Sequence, residues 1–198
     1  MYNSDMENTA EKIIEEMKEI FCQKGHCMIA LDGRCASGKS TLGELIAEKT
    51  GASLVHMDDF FLRPEQRTAK RYATPGENVD HERFLEEVLI PLSRRETVSY
   101  HPFDCNTMRI SDDIKTADGA KMTVIEGSYS HHPSLRKYYD LTVFVTAEKD
   151  TQLERIRKRN PDKVKAFEEK WIPYEELYFS SCDVQKHADL TVDTTNLF

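Results

Sequence analysis

Residues 33–41 read "GRCASGKST", between the apolar run "CMIALD" (27–32) and the helical pattern "LGELIAEKTG" (42–51). Two glycines with four residues between them, followed at once by Lys39 and Ser40, match G-x-x-x-x-G-K-[ST], the spacing of a phosphate loop. A loop that wraps a polyphosphate must aim several backbone N–H groups at one point. Glycine permits the dihedrals this needs and lets the backbone approach the anion closely. A helix that starts at the loop adds its unpaired N–H groups and the positive end of its dipole. A bare strand-to-helix turn needs a glycine or two, but no Lys-Ser-Thr at a fixed offset. Cys27 to Leu31 suits a buried parallel strand, Leu42, Leu45 and Ile46 recur at helical spacing, and Gly51 can end the helix. The segment Gly33, Arg34, Cys35, Ala36, Ser37, Gly38, Lys39, Ser40 and Thr41 is therefore expected to bind the phosphates of ATP. Lys39 should reach the β and γ phosphates, and the Ser40 hydroxyl should meet Mg²⁺.

The rest of the chain fits one domain over residues 1–198. Hydrophobic residues make up 39 percent of it, enough for a core. No apolar run approaches a membrane span, and Asp5, Glu7 and Glu11 replace the basic start of a signal peptide. The net charge of −8 disfavours a duplex nucleic-acid partner, which needs a basic face. Five cysteines without a C-x-x-C pair point to no disulfide frame and no zinc site, so a reduced, cytoplasmic setting is expected.

Apolar periodicity divides the chain into alternating elements. Ala10, Ile13, Ile14, Met17, Ile20 and Phe21 form one stripe, predicting a leading amphipathic helix within 1–24. Strands are predicted near 27–32, 53–57, 97–100, 122–127, 141–147 and 188–193. Helices are predicted near 39–50, from Phe84 to about Pro91, over 152–159, and from Lys163 to about Phe179 with a break near Pro173. Residues 62–79 carry Pro64, Pro75 and Gly76 and read as a long loop or flap. The alternation predicts an α/β fold of three layers, with a mainly parallel central sheet and helices on both faces. Ligands in such sheets sit at the carboxyl ends of the strands. Asp58 and Glu126 each follow a predicted strand, beside the same crevice as the loop. A carboxylate there can hold the metal through water, or accept a proton from an attacking hydroxyl. In the run 155–159, Arg155 and Arg159 share one helix face and could meet a transferring phosphoryl group. Cys35 reads as a small side chain that fits, although a helix start and Lys39 could lower its pKa. His131-His132 is no metal pair by itself, because adjacent side chains diverge.

"GRCASGKST", "VHMDDFFL", "ENVDHERF", "VIEGSYS" and "RIRKRN", in this order, resemble the uridine kinase group of P-loop kinases, whose relatives include phosphoribulokinase, bacterial pantothenate kinase and nicotinamide riboside kinase. The resemblance spans about Ile29 to Val192. It implies a P-loop NTPase fold and ATP-dependent phosphoryl transfer to a hydroxyl of a small molecule. It implies that Asp58, first in the D-x-F-[YF] pattern closed by Phe61, activates that hydroxyl. Asp80, in Asn78-Val79-Asp80-His81, is implied to contact the acceptor. Glu126 is implied near Mg²⁺ with Ser40, and Arg155 and Arg159 become lid arginines after Asp150-Thr151-Gln152-Leu153. Phe103 and Asp104 match the start of the base-reading segment. The second aromatic and the histidine that follow there are absent, so the acceptor need not be uridine. Arg63, Arg67, Lys70 and Arg71 in the flap could instead meet an anionic one. The partner expected is a nucleoside, vitamin or sugar-phosphate acceptor, without nucleic acid or membrane, with a homodimer left open. An ATP-binding regulator or scaffold with no acceptor is the rival reading; no N-K-x-D guanine motif supports a GTPase.

Overall fold

The structure is a computed structural model that describes residues 4–197. Its centre is a five-stranded sheet of β1 (Met28–Gly33), β2 (Ser53–His56), β7 (Thr123–Glu126), β8 (Leu141–Thr146) and β9 (Leu190–Asp193). The spatial order is β2-β7-β1-β8-β9, and every pair is parallel. Side chains alternate across such a sheet, and the sequence uses both faces. Met28 and Ala30 of β1, with Val55, Ile125 and Phe144, enter one apolar cluster. Ile29 and Leu31, with Val124, Val143 and Val145, enter the other.

Two helices cover the second face. One is α1 (Ser4–Lys24), through Met6, Ala10, Ile13, Ile14 and Met17; the other is α2 (Lys39–Thr50), through Leu42, Leu45 and Ile46. The first face is covered by two helical segments that each contain a π turn. In α4, His81–Phe84 runs through a π turn, Leu85–Leu89, into Ile90–Ser93. In α6, Val164–Ala166 runs through a π turn, Phe167–Trp171, into Ile172–Ser181. Between them in sequence lies α5 (Lys149–Arg159). These layers give the predicted three-layer α/β fold.

The π turns explain why neither proline ends its helix. Pro91 and Pro173 each stand two residues beyond one. An interior proline lacks an N–H and clashes with the carbonyl four residues back. Each π turn shifts the bonding by one residue: Ile90 N–H donates to Leu85 O, and Ile172 N–H to Phe167 O. The widened turn makes room for the ring, and both helices continue.

Other differences from the sequence reading are local. The flap contains a helix, α3 (Ala69–Ala73), started by Thr68, whose side chain accepts from Arg71 N–H. Val98–Tyr100 (β3) does not join the main sheet; it pairs antiparallel with Lys115–Ala117 (β6). Phe103–Asp104 (β4) and Arg109–Ile110 (β5) form a short hairpin. No helix among the described residues is long and apolar enough to cross a membrane.

Candidate active site

The loop after β1 adopts the conformation its glycines permit. Gly33 and Gly38 have φ of 138° and 90°. A Cβ on Gly33 would lie 1.9 Å from Val145 O, so no other residue fits beside β8. The start of α2 carries no side-chain cap, leaving its first N–H groups directed at the loop. Lys39 is buried, and its Nζ donates to Gly33 O and Arg34 O, both at 2.8 Å. The loop is held from behind by Ser37 O, which accepts from Thr194 Oγ1 at 2.6 Å. Arg34 contributes only backbone to the cradle, because its guanidinium binds Thr146 Oγ1 and Glu176.

Asp32, in β1, is fully buried and organises the neighbouring loop. Its Oδ1 accepts from Gly33 N–H (2.6 Å) and Tyr129 N–H (3.1 Å). Its Oδ2 accepts from His131 N–H and Tyr178 O–H, both at 2.8 Å. One carboxylate thereby fixes the phosphate loop, the segment after β7, and α6.

The strand ends meet as the crevice rule requires. Glu126, at the end of β7, accepts from Ser40 Oγ at 3.1 Å and lies 2.5 Å from His56 Nδ1. That bond to Glu126 raises the His56 pKa above its ordinary value, against the effect of burial. The Ser40 hydroxyl and the Glu126 carboxylate are hard oxygen donors, which suits Mg²⁺ and its retained waters. The uncapped helix start, the glycine cradle and Lys39 suit a polyphosphate.

Asp58 leaves β2 in a 3₁₀ turn, Met57–Phe60. It keeps an open face toward the crevice, and its carboxylate makes no hydrogen bond or ion pair among the described residues. The crowding walls of the crevice push its carboxyl above the ordinary range; Glu126 adds to this, while Lys39 and His56 oppose it. Asp59 has another job. It is buried, accepts from Tyr100 Oη at 3.0 Å, and pairs with Lys115 Nζ at 2.8 Å. It ties the 3₁₀ turn to the β3–β6 ribbon.

These groups line a cleft of about 470 Å³, in the size range of small-molecule sites. Its wall includes Lys39, Ser40, Thr41, Asp58, Phe61 and Glu126. The structure also brings in residues the sequence reading did not nominate: Cys105 and Met108 from the β4–β5 turn, Ser128 and Tyr129 after β7, and Lys163, Phe167, Trp171 and Glu175 from the C-terminal helical region. Glu175 is buried over the loop and accepts from Cys35 N–H at 2.9 Å and Ser128 Oγ at 2.7 Å. Burial raises its pKa, and Lys39 opposes that. Cys35 itself is pushed up to about 12, mainly by burial and then by Glu175, so the helix start does not activate it. Tyr174 of α6 stacks on Tyr72 of α3 at 5.8 Å, joining the C-terminal helix to the flap.

Four expected site residues are used differently. Arg155 turns away from the cleft: its guanidinium binds Thr194 Oγ1 and O, at 3.0 and 2.6 Å, and Ala36 O. Arg159, one turn on, does line the cleft. Asp80 is buried as the N-cap of α4, accepting from Arg83 N–H at 3.2 Å and pairing with Arg63. Phe103 is buried beneath the Arg67 guanidinium, 5.7 Å from its ring centre. Asp104 closes its own turn through Asn106 N–H and Thr107 Oγ1. Of the four flap cations, only Arg67 lines the cleft; Arg63 is tied to Asp80, and Arg71 to Glu82.

No protein-family model and no curated protein matches the chain. Solved structures do match in shape. A possible uridine kinase from Bacillus stearothermophilus is 19% identical over 96% of this chain and 100% of that one, with a TM-score of 0.68. A candidate fructose transport system kinase from Silicibacter sp. TM1040 is 22% identical over 94% and 98%, with a TM-score of 0.67. A candidate P-loop kinase with a circular permutation, from Saccharomyces cerevisiae, is 12% identical over 94% and 99%, with a TM-score of 0.63. At these identities the likeness concerns the backbone: the chain has the three-layer α/β P-loop fold that these structures share.

Proposed function

We propose that this protein is an ATP-dependent kinase that transfers a phosphoryl group to a hydroxyl of a small molecule. The observation that carries the reading is Asp58. A carboxylate with no partner among the described residues, raised in pKa, faces the same cleft as Lys39 and the uncapped start of α2. A proton acceptor at this place suits an attacking hydroxyl, which a scaffold that only held ATP lacks. The names of the structural neighbours support the same class.

In this reading the backbone of residues 33–41 and Lys39 bind the phosphates of ATP. Ser40 and Glu126 would hold Mg²⁺, which when bound would neutralise phosphate charge. Asp58 orients the acceptor hydroxyl and takes its proton. Arg159 meets the charge that spreads over the transferred oxygens, and α6, with Trp171 and Glu175, helps to keep water out. Phe61, Cys105 and Met108 form the apolar side of the acceptor site. Arg67 and Lys163 on the same wall favour an acceptor bearing a phosphate or carboxylate over uridine. The test is a screen of ADP release with Mg·ATP across nucleosides, vitamins and sugar phosphates. An anionic acceptor should stand out; selective use of uridine would reverse the acceptor reading, and no acceptor at all would reverse the kinase reading.

A further inference from the structure

We propose that Glu77, His81 and His132 form a binding site for one divalent transition metal of the zinc class, separate from the phosphate loop. One donor atom from each residue lies within 4.8 Å of the other two. Glu77 Oε1 is 3.1 Å from His81 Nε2 and 3.8 Å from His132 Nε2. Ligand atoms around a tetrahedral zinc, with bonds of roughly 2.0–2.1 Å, stand about 3.3 Å apart. The two Glu77 distances are thus near that spacing. None of the three residues lines the cleft described above.

The surroundings orient these donors. Ser134 Oγ lies 2.7 Å from His132 Nδ1 and 3.5 Å from His81 Nδ1. One hydroxyl occupies the far nitrogen of both rings and leaves both Nε2 atoms on the side of Glu77. These partners aim both rings; Ser134 N–H also donates to His132 Nδ1 at 3.3 Å, so the free ring carries its proton on Nε2, and binding a metal there moves that proton to Nδ1, where Ser134 Oγ can accept it. Glu77 is itself steadied by Arg71, 3.4 Å from its other oxygen. The imidazoles stack with centroids 4.0 Å apart and an interplanar angle of 16°. Two imidazolium ions would repel at that distance, so at least one ring is a neutral lone-pair donor. A metal bond to imidazole lies in the plane of the ring, and these near-parallel planes do not converge on one ion, so binding requires at least one ring to turn well out of the stack.

The close approach is built into the chain. A Cβ on Gly76 would lie 2.7 Å from His132 Cδ2, and Gly76 has φ of +84°, so only glycine brings residue 77 this near the rings. His131, next in sequence, points elsewhere and lies 2.9 Å from Ala30 O through its Nε2. Two imidazoles and one carboxylate suit zinc-class ions; Mg²⁺ and Ca²⁺ prefer oxygen alone. Glu82 is 3.7 Å from His81 Nε2, but both its oxygens are held by Arg71, so solvent supplies the remaining position. The ion would clamp the base of the flap and the start of α4 to the segment after β7.

The test uses the full-length, chelator-stripped protein without nucleotide, titrated with Co²⁺ and Zn²⁺. We expect one high-affinity Co²⁺ per chain, with visible d–d bands of a four-coordinate site and no thiolate charge-transfer band. Zn²⁺ should displace it and raise Tm. His132→Ala and Glu77→Gln should each weaken binding at least about tenfold, whereas Ser40→Ala, altered at the phosphate loop, should not. Glu77 is part-exposed and outside the core, so Glu77→Gln decides the matter even if His132→Ala folds poorly. No stoichiometric binding, a thiolate band, or unchanged binding by Glu77→Gln would overturn the proposal.

Discussion

Asp32→Asn keeps the size of a side chain that four donors share and changes only its bonding. The amide oxygen can stay at the Oδ1 position and continue to accept from Gly33 and Tyr129 N–H. The NH₂ then takes the Oδ2 position, facing His131 N–H and Tyr178 O–H. The tyrosine hydroxyl can turn and accept. The backbone N–H of His131 cannot, and is left buried against another donor. One such orphan costs about 1–3 kcal/mol, and the remaining bonds lose the help of the negative charge. Relief from burying that charge offsets part of this, so the net loss should be about 2–4 kcal/mol. For a chain of this length that lowers Tm by about 5–15 °C. Urea unfolding with an unchanged m-value measures it. Tyr178→Phe removes one donor of the four and should cost only about 1 kcal/mol. A loss under about 0.5 kcal/mol for Asp32→Asn would refute the claim that this carboxylate holds the site loops together.

Three further outcomes follow from the geometry. Lys39→Ala should abolish Mg·ATP turnover while secondary structure by circular dichroism stays intact, since among the described residues Lys39 bonds only to the carbonyls of Gly33 and Arg34; full turnover would remove the phosphate-loop reading. Arg159→Ala should lower kcat about tenfold or more, whereas Arg155→Ala should cost about 1–3 kcal/mol of stability through lost bonds to Thr194 and affect kcat less; the reverse pattern would restore Arg155 to the cleft. Cys35, with its thiol pushed up to about 12, has almost no thiolate at pH 7.5, so iodoacetamide should label exposed Cys22 first and reach Cys35 only as pH rises toward that value; rapid labelling of Cys35 at neutral pH, followed by mass spectrometry, would contradict this.

The central sheet was legible because each of its strands is built round two to four apolar residues between turn signals, and the glycine turn from β1 into α2 because its spacing asks for a strand before it and a helix after it. The β3–β6 and β4–β5 pairs were not, since strands of two or three residues carry too little pattern to register. Pro91 and Pro173 pointed to helix ends because a proline signals a break; the π turns that relieve it depend on packing and leave no mark in the sequence. Asp80 and Arg155 stand where the resemblance places site residues, yet local bonds claim them, one as a helix cap and the other as an anchor for residues 194–195. His132 illustrates the converse. Its divergence from His131 was foreseeable, but its meeting with His81 depends on how two distant segments pack.

The most direct test of the kinase reading measures ATP affinity and acceptor-dependent ADP release side by side, in the parent protein and in Asp58→Asn, across Mg²⁺ concentrations. In that reading Asp58 acts at the acceptor, and it makes no bond to the loop among the described residues, so ATP affinity should change little. Phosphoryl transfer should fall by on the order of 10²–10⁴, the range for a positioned acid or base, and nearer the lower end because a loose transition state needs less help from a base. Unchanged turnover in Asp58→Asn, or a parent protein that binds Mg·ATP and phosphorylates no acceptor, would contradict the account.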